Sequence, residues 1–248
     1  MLTGWELALG LAAMFFGAIA LGTISFGLGT VSMPFMLFIL PPQDAVVIVN
    51  AVVVLTTGLT VAQTWRHLEL RESWPFVVAG LPPVPLGVLL LHRADAVALR
   101  LIIVAVILAL GVMSLFQIRL PGARSRWAAP ICGFIATLLV TTLGVGAPLA
   151  GLYSIEQDWS RDTIRATLGL YFFLASALAL VLFFATGLIP LTTARNIGVL
   201  SLAVVCGTAV AAVIASRISR QVFRYAVVGV TVVGSVSLLA RELVGVLE

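Results

Sequence analysis

Apolar residues fill the chain in long runs, separated by short clusters of charge, glycine and proline. The runs do not alternate every second residue as barrel strands do. Most reach the roughly 20 residues that a helix needs to cross a hydrocarbon core. Eight such spans are expected, at 5–26, 44–64, 74–91, 96–116, 128–143, 164–184, 194–215 and 223–244. The charged connections "RHLELRES", "HRAD", "RLPGARSRW", "EQDWSRDTIR" and "SRISRQ" are too short for a soluble domain. The pattern predicts an all-α integral membrane protein of about eight transmembrane helices, forming one membrane unit.

The first run is interrupted by "SFGLGTVSMPF", residues 25–35. Glycine, proline and hydroxyl residues weaken the helical ladder. Lipid tolerates a broken ladder only where the freed backbone groups are buried in protein or face a wet cavity. Residues 5–40 are also too many for one straight span, so a re-entrant hairpin or a steep tilt is expected there. The interruption recurs as "TTLGVGAPLAG". Gly27 and Gly29 precede Pro34, and Gly144 and Gly146 precede Pro148. The two prolines are 114 residues apart, as are the pairs Gln43-Asp44 and Gln157-Asp158. Gly87 and Arg100 find looser counterparts in Gly207 and Arg224. Two internal repeats follow, 1–118 and 128–248, joined by a connecting loop at 119–127, each with an interrupted helix. Duplicated membrane proteins with matched broken helices are commonly secondary transporters, and helix N-termini at such breaks suit anions.

Composition supports the class. Residues are 61% hydrophobic and only 10% charged, which no soluble fold of 248 residues could arrange around a core. The net charge of +4 comes from arginine alone, because the chain has no lysine. The arginines are spread over many loops, so nucleic acid is not an expected partner. Cys132 and Cys206 fall within spans and read as packing residues. The first span lacks a cationic flank and reads as a retained helix. On an eight-span count, Arg66, Arg71, Arg119, Arg124, Arg126, Arg195 and Arg241 face Arg93, Arg100, Arg161, Arg165, Arg217, Arg220 and Arg224 across the membrane. That is an even division, and orientation is left open.

Several side chains could serve an anion. Arg165 opens the sixth span with a planar fork suited to oxyanions, although it could instead snorkel or pair with Asp158 or Asp162. Asn50 lies in an apolar setting and needs partners, from a chamber or from a second helix. Thr30, Ser32, Thr141, Thr142 and Thr167 offer hydroxyls near the breaks. Asp44 and Asp158 read as helix caps before proton carriers. His67 and His92 read as solvated loop residues. The tryptophans gather at span ends, where an interfacial belt belongs. The expected substrate-binding set is Gly27, Gly29, Thr30, Pro34, Asn50, Thr142, Gly144, Gly146, Pro148, Arg165 and Thr167. No catalytic residues, metal ligands or cofactors are expected. A non-transporting scaffold and an intramembrane enzyme are the alternatives. Neither histidine lies within a span to serve a serine nucleophile, and a scaffold has no need of two matched breaks.

The stretches "GLGTVSMPFMLFILPPQDAVVIVNAVVVLTTGL", "TWRHLELRESWPFVVAGLPPVPLGVLL" and "GVGAPLAGLYSIEQDWSRDTIRATLGLYFFLASALALVLFFATGLI" resemble the sulfite exporter TauE/SafE family of membrane permeases. The resemblance covers nearly the whole chain. In the first break, the family's run of adjacent glycines is thinned to Gly27 and Gly29. The resemblance implies an exporter that uses no ATP and moves small sulfur-containing anions, such as sulfite or organosulfonates, across the bacterial cytoplasmic membrane. Its partners would be the anion, the bilayer and a coupling proton or other ion.

Overall fold

A chain this apolar keeps its backbone bonded in lipid by forming helices. The computed structural model describes residues 2–24, 27–116, 125, 127–157, 159–214 and 220–247, and among them there is no strand. Asp158 and most of the connecting loop 119–127 lie outside the described residues. The helices are α1 (Gly4–Ile24), α2 (Leu28–Ile39), α3 (Pro42–Thr64), α4 (Leu70–Ala79), α5 (Pro83–Arg93) and α6 (Ala96–Leu115). After the connection come α7 (Ala128–Leu143), α8 (Ala147–Glu156), α9 (Arg161–Ala185), α10 (Leu191–Ile214) and α11 (Arg220–Leu247).

Among the described residues, six helical stretches are long and apolar enough to cross a membrane: Gly4–Thr23, Pro42–His67, Ser73–Arg93, Ala96–Met113, Asp162–Ala185 and Leu191–Ala211. They coincide with six of the eight expected spans. The other two are shorter as apolar helices: α7 has 16 residues, and the apolar part of α11 is Val227–Ala240. Ser73–Arg93 is one span in two pieces. Pro83 opens α5 in its first turn, where a missing N–H costs little.

α1 and α2 form a hairpin. A Cβ on Gly10 would lie 3.3 Å from Ile39 Cδ1, and one on Gly17 would lie 3.0 Å from the Leu28 carbonyl oxygen. Partner numbers thus rise along α2 as they fall along α1, so α2 runs back beside α1. α2 has 12 residues, roughly 18 Å of helix, so its N-terminus stops inside the membrane. In the second hairpin, Gly146 folds back against the Ala136 carbonyl and the Val140 amide. The sequence left kink and hairpin open, and both interruptions are hairpins.

Contacts between helices fix the directions. At one side of the bundle the Leu2 N–H donates to Asn196 Oδ1 (3.1 Å), the Thr193 hydroxyl to Asp44 Oδ1 (2.7 Å) and Gln43 Nε2 to the Ala94 carbonyl (3.2 Å). α3 and α9 pack antiparallel, with Gly58 on Phe173 and Gly169 on Thr60. Just beyond α3, Glu69 accepts from the Thr163 hydroxyl at 3.2 Å, so α9 starts on the side opposite Leu2, which we call the Arg165 side. α1 runs parallel to α10, through Leu2 with Asn196, Phe15 with Gly207 and Gly22 with Ala211. α7 runs parallel to α4 and α5, through Gly133 with Phe76, Thr137 with Gly80 and Thr141 with Gly87. The first hairpin therefore enters from the Leu2 side and the second from the Arg165 side. Their tips meet, with Gly29 directly against the Gly144 carbonyl. α3 lies at the centre, where Ala45 to Val49 are fully buried. Trp5, Trp65, Trp74 and Trp127 are exposed near span ends, as a belt of interfacial aromatics requires.

Candidate functional site

The tips are built by glycine backbone. Gly144 sits at φ 70°, left-handed, and its N–H closes the last turn of α7 on the Val140 carbonyl at 3.0 Å. Gly27, before α2, has φ 123°, a conformation that side chains rarely adopt. Gly27 and Gly146 are the N-caps of α2 and α8, and neither has a side chain to cap the first turn. First-turn amides have no carbonyl four residues back, so those of Leu28, Gly29 and Thr30 in α2 are unmatched within the helix. The two positive helix ends converge on one cavity of about 30 Å³, lined by Gly27, Gly29, Thr30, Gly144, Gly146 and Ala147 with Thr57 and Phe172. The space suits a water or two.

Most hydroxyls nearby have already committed their protons. Ser32 donates to Leu28 O at 2.7 Å, Thr141 to Thr137 O at 2.8 Å and Thr57 to Val53 O at 2.6 Å. Such bonds to the helix's own backbone are usual for Ser and Thr. Thr30 differs. It is 7% exposed, lines the cavity, and its hydroxyl has no partner among the described residues.

The other expected residues divide by position. Asn50 is wholly buried and donates through Nδ2 to Val46 O and Val140 O, both at 3.0 Å. It ties α3 to the last turn of α7 and so positions the second tip, while its own Oδ1 is buried without a partner. Thr142 donates to Gly87 O at 3.3 Å and ties that tip to α5. Pro148 is buried in the first turn of α8. Pro34 sits in the middle of α2, packed near Gly234 of α11, so the two prolines do not occupy equivalent helix positions. Thr167 is buried with an unpartnered hydroxyl, away from the residues lining the cavity.

Arg165 lies in a second cavity, of about 100 Å³, on its own side of the tips. Its walls carry Thr56, Thr57, Thr60, Gln63 and Thr208, with Arg165 and Gln63 exposed. Leu21, Thr57 and Phe172 line both cavities, so the larger space adjoins the smaller across these three residues. Sequence reasoning missed the α3 stripe of Thr56, Thr57, Thr60 and Gln63. The signal was present in "TTGLTVAQT", a cluster of polar residues inside an apolar span at helical spacing. The whole assembly offers amides, one hydroxyl proton, an amide side chain and a guanidinium. The amides and the Thr30 hydroxyl are enclosed at the tips and the guanidinium and the Gln63 amide are exposed beside them, and all of these are donors, the chemistry of anion recognition. Among the described residues no group of three His, Cys, Asp or Glu side chains could hold a metal.

A family model described as sulfite exporter TauE/SafE matches residues 9–238. Comparisons with curated proteins and with solved structures give no match.

Proposed function

The chain belongs to the sulfite exporter TauE/SafE family, and from that premise we propose that it exports small sulfur-containing oxyanions, such as sulfite or organosulfonates, across the bacterial cytoplasmic membrane. Family membership makes it a multi-pass membrane permease with an anionic small-molecule substrate. The finer reading is a secondary transporter and not an enzyme, with the substrate held between the two hairpin tips.

The observation that carries this reading is the convergence of two uncapped helix N-termini on a cavity that also receives the unpartnered, buried Thr30 hydroxyl. A buried hydroxyl without a partner is costly, and a bound oxyanion would satisfy it. The cavity is small, so the tips must part for a substrate to seat. Gly29 and Gly144 meet through backbone, with the Met33 and Val49 side chains packed beside them.

Helix boundaries support the two repeats. The same 119 residues separate Ile24 from Leu143, Leu28 from Ala147 and Pro42 from Arg161. This register pairs Gly27 with Gly146 as N-caps, in place of the 114-residue match of the prolines. The contacts obey the same exchange: α1 lies along α10 as α7 lies along α4 and α5, while α3 meets its counterpart α9. Because the hairpins enter from opposite sides, the repeats are inverted. Such halves can rock past each other around a fixed central site.

The test is flux in proteoliposomes of labelled sulfite, sulfoacetate, taurine-derived acids and thiosulfate, with and without a proton gradient. Saturable movement of at least one of these anions is expected. Movement of none above that in protein-free liposomes would overturn the reading.

A further inference from the structure

Each hairpin returns to the side from which it entered, which changes the side assigned to the connections that lie between the two hairpins. The facing ends of α3 and α4, of α6 and α7, of α8 and α9, and of α10 and α11 all lie on the Arg165 side. In the sequence, those helix ends and the stretches that connect them carry Arg66 and Arg71, then Arg119, Arg124 and Arg126, then Arg161 and Arg165, then Arg217, Arg220 and Arg224. The Leu2 side keeps Arg93, Arg100, Arg195 and Arg241. Ten arginines against four is a clear asymmetry, and it survives if Arg161 and Arg165 are set aside as functional. Short loops rich in arginine stay in the cytoplasm.

We infer that the cavity holding Arg165 and Gln63 is a cytoplasmic vestibule, a binding station for the outgoing oxyanion separate from the hairpin tips. This rests on the proposed transport function. At about 100 Å³ the vestibule has room for a small oxyanion with some of its water, whereas the tip cavity of about 30 Å³ does not. Its polar wall descends along α3 from Gln63 through Thr60 to Thr57 and Thr56, and Thr57 also borders the tips. Arg165 stands toward the Gln63 end, where a permanent cation attracts anions and repels cations. On the opposite side the bonds Thr193–Asp44, Leu2–Asn196 and Gln43–Ala94 hold helix ends together. The conformation is thus open toward the cytoplasm and closed toward the exterior.

The test uses Gln63→Cys in the full chain with Cys132→Ala and Cys206→Ala. Methanethiosulfonates bearing a sulfonate or an ammonium group are applied to right-side-out and to inverted membrane vesicles. Modification in inverted vesicles only, with the anionic reagent favoured, is expected. Adding Arg165→Gln should lower the anionic-to-cationic rate ratio about tenfold, as loss of a unit charge a few ångströms away predicts, and Arg165→Lys should restore it. Modification from the outside only would overturn the orientation. No modification from either side would overturn the open vestibule, and an unchanged ratio would remove Arg165 from it. Because labelling needs no transport, these outcomes separate from failure of the flux experiment.

Discussion

Thr30 and Arg165 were both expected at the site, and their surroundings assign them different work. Thr30 is enclosed and its hydroxyl is unpartnered. Thr30→Val should leave thermal stability unchanged or slightly raised, because it removes an unsatisfied buried hydroxyl while keeping the shape. The same change should weaken sulfite binding roughly ten- to a hundred-fold, the worth of a hydrogen bond to a charged group. Thr30→Ser should retain most of the affinity. Titration calorimetry and melting curves on the purified variants check both halves, and lost stability together with unchanged affinity would make Thr30 a packing residue. Arg165 is exposed, so water and salt screen it. Arg165→Ala should raise the transport KM only about three- to tenfold, with the difference shrinking as ionic strength rises. A KM effect independent of salt would place Arg165 in direct, dehydrated contact with the anion. Asn50 holds the second tip and serves structure first. Asn50→Leu should destabilise the protein by about 1–3 kcal/mol through loss of the tie to Val140 O, measured as a fall in melting temperature in detergent.

Among the elements, the hairpins are what sequence reasoning half reached. The glycine clusters marked both breaks, and the excess length of residues 5–40 left a hairpin or a steep tilt for the first. What periodicity cannot register is direction: a 12-residue helix returning beside α1 has the same apolar composition as a continuation of it. The short run 128–143 was assigned a full span for the same reason. The match of Pro34 with Pro148 suggested a register that helix boundaries shift by five residues, since one proline sits in mid-helix and the other in a first turn. The threonine stripe on α3 was passed over because membrane threonines mostly bond their own helix, and these do so too while still lining the cavity. Two substitutions probe the tips as elements. Gly144→Ala should cost about 1–2 kcal/mol of stability from its left-handed backbone alone. Gly29→Ala should lower transport more than tenfold while helix content by circular dichroism stays the same, because its Cβ would collide with the Gly144 carbonyl and hold the tips apart. Wild-type flux from Gly29→Ala would mean that the tips are not the place of passage.

At the scale of the whole molecule, membrane class was legible from composition and the long apolar stretches, and the family from the resemblance carried by the glycine- and proline-marked stretches. Orientation was not, because an even division of arginines followed from counting each break as part of a through-going span. Folding both breaks into hairpins puts the helix ends that flank Arg66, Arg71 and the arginines of 119–126 in the sequence on the side of Arg161 and Arg165, and the asymmetry emerges. The proposed inversion of the two halves would explain why the cavity at the tips is bounded by two helix N-termini from opposite faces of the membrane. That the oxyanion sits between those ends is the central claim, and locating an electron-rich analogue tests it most directly. Crystals of the protein grown with selenite, in which selenium replaces sulfur in the same oxyanion shape, can be measured at the selenium edge. We predict an anomalous peak between the N-termini of α2 and α8, within hydrogen-bond reach of the Thr30 hydroxyl and with Gly29 and Gly144 drawn apart. Selenite bound only at a site remote from both tips, with Gly29 still against Gly144, would contradict it.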